Sequence, residues 1–584
     1  WRSGTAENKA RALPLLKAAV RSYMSAANAD YLENIGIRKE LREITFAAYL
    51  EAISSTAGED ATEALGAADW VRGGTVQEAL NDAAVRAAAS TPALSDVVRR
   101  DQDARNEIKG LRSFLSGDAG SAKTPLPQIA TQMRERITVL ENQRVQLQAE
   151  IKAKFPDYER LVRPTSPSVQ QVAKQLSPDQ ALLMLLPTTD AVYVWAVTAE
   201  RPPAFARAPL SEARVDQLIG RLRRQLDFAA GGGSQFDSAA AFELYDKLLA
   251  PLAPTLQGKT QLIVAAGGNL SQIPFGILHT RANGGTGSQA PWLIKEASIA
   301  QVPSLSAWLA IKSLAKSKPA SQSFAGWGDP AFNASAAAAN ASLAQANGPL
   351  SRSVVLSRAA TLTQLDAAEL SAPVTSALKY ADIPPLPDTR DELLAIATTL
   401  HADAGSDLHL GPQATRDSVL QANKSGQLGN KRVIAFATHG LMAGDLPNLT
   451  QPALALAATG QEQTNPLAPL LTLEDVLTLK LNADWVVLSA CNTAAADGKA
   501  EEALSGLARG FFYAGSRSLL VTHWAVESES AKELTTSTFA HYAANPTAPK
   551  AESLRQAMLQ VMANPKYAHP AYWAPYALVG DGGR

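Results

Sequence analysis

KRVIAFATHG, residues 431–440, and WVVLSACNTA, residues 485–494, are the two stretches on which the reading of this chain turns. Each carries an unbroken apolar run, from Val433 in the first and from Trp485 in the second, rich in β-branched and aromatic residues, and then stops at small polar groups. That is the signature of a short strand buried on both faces of a sheet. The first run delivers His439 to its exit and the second delivers Cys491, the only cysteine in the chain. In open parallel α/β sheets, ligands and chemistry collect at the carboxyl ends of strands. A lone cysteine or a lone histidine is more often core filling than chemistry. The pairing changes that balance, because an imidazole 52 residues ahead of a single thiol is a spacing used for Cys-His nucleophiles.

Strands and helices alternate around these two stretches. Apolar runs at 182–186, 191–197, 262–266, 299–302, 324–327 and 518–522 read as further strands, the first two joined by the turn Pro187-Thr188-Thr189-Asp190. Val215, Leu218, Leu222 and Leu226 line one face of an intervening helix. Such alternation predicts a mostly parallel sheet flanked by helices on both faces, an α/β fold. Gly231-Gly232-Gly233-Ser234 is a flexible break, and 333–349, nearly all Ala, Asn and Ser, reads as an exposed insertion. The pair Gly267-Gly268, with no Lys-Ser/Thr after it, reads as a turn rather than a phosphate loop.

Residues before about 160 carry helical periodicity instead. The spacing predicts helices over 10–27, 33–54 and 76–89, then two longer ones over 92–115 and 127–155 separated by the turn-rich SGDAGSAKTP at 116–125. In the last helix Met133, Ile137, Leu140, Leu147 and Ile151 recur at a/d spacing, with Arg144 interrupting the seam. An all-α region at 1–90, a helical hairpin or spacer at 91–162 and an α/β domain at 168–584 follow. No clean 34-residue repeat is visible.

Composition bounds the function. At 584 residues the chain exceeds one core, and 54 Lys+Arg against 55 Asp+Glu leaves no basic excess for general nucleic-acid contact. No apolar stretch has the length of a membrane span, and none reads as a signal peptide. The first residue is Trp1, as expected of a trimmed or processed fragment. The compartment is therefore open: cytoplasmic is the simpler expectation, with export the alternative if a signal segment precedes Trp1. His279, His401, His409, His541 and His569 have no Cys, Asp or Glu at ligand spacing, so neither a metal nor another cofactor is expected.

Taken together, KRVIAFATHG, VLSACNTA from Val487, LSGLARGFFYAGSRSLLVTHWAVES (504–528) and the terminal AYWAPYALVGDG resemble the CHAT family, bacterial relatives of caspases and separases often found behind tetratricopeptide repeats. LIVAAGGNLSQIPFGIL (262–278), QVPSLSAW (301–308), FAGWGDPAF (324–332) and LPDTRDELLAIATTL (386–400) fit the family in order, so the resemblance spans about 168–584. It implies a caspase-like sheet in two lobes, a degenerate one at 168–350 and an active one at 380–584. It also implies a tetratricopeptide-like origin for the N-terminal helices. The degenerate lobe has no cysteine, and its strand at 262–266 ends in Gly267-Gly268-Asn269 rather than in a histidine.

The function implied is a cysteine endopeptidase acting on a protein substrate, regulated through the helical region by an activating protein partner. A catalytically silent CHAT-fold scaffold is the alternative. A free thiol titrates near 8.5, so Cys491 as nucleophile needs help from His439, which also serves as acid to the leaving amine. The N–H groups of Gly440 and Cys491 are the expected oxyanion donors. Weaker expectations for substrate contact are Asp445, His523, Trp524, Glu527 and Ser528. In separases and many CHAT proteins an acidic residue follows the Trp-x-Val segment and meets a basic P1 side chain. Here Ser528 occupies that place, with Glu527 and Glu529 beside it, so a basic P1 and a Leu or Met P1 both stay open.

Overall fold

A computed structural model of the chain describes residues 6–24, 37–54, 59–72, 127–154, 167–228, 235–314, 320–333, 380–489 and 506–583, with isolated positions over 97–115 and a few exceptions inside these ranges, among them 442–445 and 525. The described residues fall into two compact units, one ending at Ser168 and one running on from Val169. The helix expected at 76–89, the turn-rich break at 116–125, the glycine run at 231–233 and the Ala/Asn/Ser stretch from 334 lie outside them.

The first unit is helical. Its helices are α1 (Ala6–Met24), α2 (Ile37–Ser54), α3 (Glu59–Arg72) and α4 (Pro127–Lys154). Phe46 of α2 stacks on Trp70 of α3 at 5.7 Å, and Arg21 of α1 reaches Glu63 of α3 at 2.7 Å. Ile137 and Leu140 of α4 pack on Ala104 and Ile108. Arg136 pairs with Glu107 at 2.7 Å and Arg144 with Asp101 at 3.1 Å, so α4 runs antiparallel to the segment it covers. Arg144, which breaks the apolar seam, thus meets a carboxylate within it.

The second unit is built on fourteen described strands. They are β1 (Gln180–Pro187), β2 (Val192–Thr198), β3 (Ala204–Ala208), β4 (Gln261–Ala266), β5 (Ser298–Gln301), β6 (Gln322–Gly328), β7 (Leu408–Leu410), β8 (Lys431–Ala437), β9 (Gly440–Leu441), β10 (Ala453–Ala455), β11 (Leu470–Thr472), β12 (Trp485–Leu488), β13 (Ser518–Thr522) and β14 (Tyr576–Gly580). Eleven form one sheet in the order β3-β2-β1-β4-β5-β14-β13-β12-β8-β6-β7, and β11-β10-β9 form a small second sheet. Pairs β1–β4, β4–β5, β12–β13, β8–β12, β6–β8 and β6–β7 are parallel, whereas β1–β2, β2–β3 and β13–β14 are antiparallel. The fold is the mostly parallel, helix-flanked α/β class, preceded by helices.

Burial explains why these runs become strands. Every residue of β2, β12, β13 and β14 is buried, which requires helices on both faces. One layer comes from α5 (Glu212–Leu226), α6 (Ser238–Leu248), α7 (Ser528–Ala544) and α8 (Lys550–Ala563), whose apolar faces join the same core. Ser211 caps α5 by accepting from Arg214 N, and α5 buries Val215, Leu218, Ile219, Leu222 and Leu226. Gly580 ends β14 at φ +107, where a Cβ would lie 2.5 Å from Arg517 O, so only glycine fits there.

The sheet has two halves, β1–β5 and β6–β8 with β12–β14, meeting at the pair Val579↔Gln301. β6 belongs to the second half, beside β8, although the boundary expected near 350 assigns its residues to the first lobe. Local periodicity registers a strand at 324–327 but carries no signal for which neighbour it pairs with.

Candidate active site

Parallel register sets the edge on which the site lies. Gly328 of β6 pairs with Ala437 of β8, Leu488 of β12 with Phe436, and Val487 with Leu520 of β13. The exits of β6, β8, β12 and β13 therefore adjoin along one edge of the sheet.

His439 stands two residues past β8, with its side chain fully buried. Its Nε2 is 2.8 Å from the carbonyl oxygen of Pro384. A carbonyl only accepts, so Nε2 carries the hydrogen and Nδ1 is the nitrogen able to take up a proton. Phe332 packs on the ring at 5.4 Å. The backbone around it is clamped as well: Thr438 Oγ1 donates to Ala455 O, and Ala455 N donates to His439 O at 3.0 Å. A satellite core of Phe332, Tyr380, Ile383, Leu441, Ala453, Ala455 and Leu470 backs this arrangement through the small sheet.

Gly440 opens β9 and pairs with Leu454 of β10. Because the flanking bond runs from Ala455 N to His439 O, Gly440–Leu454 is a pair that exchanges no ladder bonds. The Gly440 N–H is therefore not used by the ladder. Just past β12, Ser489 N donates to Phe436 O at 3.1 Å, and Ser489 Oγ shares a hydrogen bond with Tyr576 OH at 2.6 Å. Cys491 lies outside the described residues, as do Asp445 and residues 492–503.

Beyond β13, His523 is fully buried. Its N–H donates to Pro575 O at 2.9 Å, and its Nε2 stands 3.5 Å from Gln301 Nε2. Burial, with a smaller contribution from the charge of Arg223, pushes its pKa down to about 3, so the ring is neutral. Trp524 is buried and donates from Nε1 to Ala571 O at 3.1 Å. Glu527 is the N-cap of α7, its carboxylate accepting from Ser530 N at 2.8 Å, and Ser528 is a buried first helical residue. Glu529 is paired with Lys566 and accepts from Tyr567 OH at 2.7 Å. The structure thus brings His439 and Gly440 together at the β8 exit. It places His523 and Trp524 inside the protein at the β13 exit and gives Glu527 to the helix terminus. Among the described residues no cluster of His, Cys, Asp or Glu could hold a metal ion.

Three groups at this edge have no signature in residue type: the Pro384 carbonyl that orients His439, the Tyr576 hydroxyl on Ser489, and Arg223, which donates to the carbonyl of His523 at 3.1 Å. In sequence Arg223 is one more charge on the polar side of an amphipathic helix.

The CHAT domain profile matches residues 238–581, more than half of the chain. The chain belongs to the CHAT domain family. Mouse tetratricopeptide repeat protein 28 is 28% identical over 228 residues, covering 34% of this chain but only 9% of its own length. This chain therefore spans less than a tenth of that relative. Among solved structures, the Arg-specific cysteine proteinase gingipain R matches 64% of this chain and 75% of its own at 10% identity and a TM-score of 0.34. Separase in the Saccharomyces cerevisiae separase–securin complex matches 98% of this chain and 40% of its own at 8% identity and a TM-score of 0.40. At such identities and scores neither alignment transfers a residue role to the CHAT domain described here.

Proposed function

We propose that this CHAT protein is a cysteine endopeptidase whose nucleophile is Cys491 and whose acid–base group is His439. The carrying observation is the parallel pairing of β8 with β12, in which Leu488 lies opposite Phe436. His439 is the third residue after Phe436 and Cys491 the third after Leu488, so the strand exits that lead to them are neighbours with matching counts.

In this reading Nδ1 of His439 takes the thiol proton while Nε2–H stays on Pro384 O. The Cys491 sulfur forms a bond to the scissile carbonyl carbon, and the oxyanion is met by the N–H groups of Gly440 and Cys491. The imidazolium then protonates the leaving amine as the C–N bond breaks. Water, deprotonated by the same nitrogen, hydrolyses the thioester and releases a carboxylate. The N-terminal helices are proposed to receive a regulatory protein partner, in keeping with the tetratricopeptide repeat protein among the relatives.

An electrophilic peptide that captures Cys491 tests this directly, because a chain with one cysteine gives one adduct site. Cys491→Ala and His439→Ala are each expected to abolish peptide cleavage in folded protein, a loss of at least about a thousandfold. Retained turnover in folded Cys491→Ala protein sinks the proposal, and folded wild-type protein that no electrophile captures, with or without partners, favours the silent scaffold.

A further inference from the structure

Packing fixes Arg223 in place. Leu222 and Leu226 are buried in the core, so the last turn of α5 cannot rotate, and the partly buried Arg223 side chain is directed across the boundary between the two halves of the sheet. Nη1 donates to Gln272 O at 2.9 Å and Nη2 to His523 O at 3.1 Å. Gln272 follows the exit of β4 in the first half, whereas His523 follows the exit of β13 in the second. Gln301, at the end of β5, strengthens the same junction by donating to Ile273 O at 3.2 Å beside the His523 ring. A planar guanidinium can bridge two carbonyls in fixed geometry, and no other side chain does so as well.

We propose that Arg223 is a positioning residue: by bridging the carbonyls of Gln272 and His523 it lets the cysteine-free β1–β5 half set the conformation of the β13-exit segment next to the exit of β12. β12 and β13 are parallel neighbours in register, so a shift at 523–524 is transmitted to the adjoining β12 exit. The first half then acts on the reactive edge through a named contact instead of serving as an inert remnant. The consequence for catalysis rests on the reading of Cys491 and His439 as the reactive pair, but the contact itself can be tested without it.

A second arginine supplies the comparison. Arg555, on α8 in the second half, donates to Ile294 O at 2.7 Å and Lys295 O at 2.5 Å in the first half, before the start of β5. It also crosses between the halves, yet it touches neither β4 nor β13 exit.

The test uses the full chain as wild type, Arg223→Met, Arg223→Lys and Arg555→Met. Three readouts are taken: thermal unfolding, hydrogen exchange over 268–273 and 518–530, and the pH profile of Cys491 alkylation by iodoacetamide. Arg223→Met is expected to raise exchange selectively in both segments and to slow alkylation roughly two- to thirty-fold at neutral pH, the range for coupling through a packed network. Arg555→Met, at a similar loss of melting temperature, is expected to leave both at wild-type values. Arg223→Lys keeps the charge but reaches one carbonyl, and falls between. The proposal is overturned if Arg223→Met and Arg555→Met change exchange and alkylation alike, in proportion to stability, or if Arg223→Lys is fully wild type. Should Arg223→Met not fold, Arg223→Lys decides on the same readouts. A wild-type alkylation profile like that of a free thiol counts against the peptidase reading alone, and the exchange contrast still decides on Arg223.

Discussion

Glu527 shows how one carboxylate can be claimed by the backbone before any substrate arrives. Its bond to Ser530 N closes the start of α7 and places the negative charge at the positive end of a seventeen-residue helix. Glu527→Ala is therefore expected to lower stability by about 1 kcal/mol, the usual worth of an N-cap. It should also lower cleavage of basic-P1 and Leu-P1 peptides by the same factor. A loss confined to the basic-P1 peptide, measured as kcat/KM, would instead put the carboxylate in the pocket. At this scale the candidate residues are legible in sequence, since a thiol and an imidazole at the ends of apolar runs announce themselves. The Pro384 carbonyl was not, because every residue carries a carbonyl and only the fold determines which one His439 meets.

The ion pair between α4 and the segment it covers separates what periodicity can tell from what it cannot. Arg144 reads as a break in a heptad seam, and Asp101, its partner at 3.1 Å, sits 43 residues away with no local sign of the pairing. Both side chains are largely buried, at 19% and 16% exposure, so desolvation offsets much of the attraction. Arg144→Leu alone is expected to destabilise the helical unit by about 1–3 kcal/mol by leaving Asp101 without this partner, whereas the double change to Leu at 101 and 144 is expected to be neutral or stabilising. Chemical denaturation of the four proteins of that cycle checks it. Strands fared similarly. Runs at 182–186, 262–266, 433–437 and 485–488 were legible because a doubly covered strand is apolar throughout. β3, five residues with Arg207 among them, and β9 to β11, only two or three residues long, carry too little pattern to register.

For the molecule as a whole, two buried imidazoles contribute to the response to acid. His279 is fully buried among Phe236 and Trp292, with neither ring nitrogen hydrogen-bonded among the described residues, and burial pushes its pKa down to about 4. His523 is depressed to about 3, by burial first and then by Arg223. In the unfolded chain both titrate near 6.5, so below that pH the unfolded state binds protons that the folded state refuses, and stability falls as pH falls. The loss begins near pH 6.5 and runs down to about 4 for His279 and about 3 for His523. Each ring contributes about 1.4 kcal/mol per pH unit inside its window. His279→Phe is expected to flatten the fall between pH 6.5 and 4 by that slope, read from denaturation midpoints at several pH values; an unchanged slope counts against the depressed imidazole. The position of β14 has a different consequence. Last of the sheet strands along the chain, it lies sixth of eleven in space, the one strand that joins β5 to β13. On the ribosome, the two halves can each begin to collapse as they emerge, but they cannot share one continuous sheet until residues 576–580 have left the exit tunnel. A protein of this design is thus made first as two halves, and the strand that completes its sheet comes only after residues 169–575 have been made.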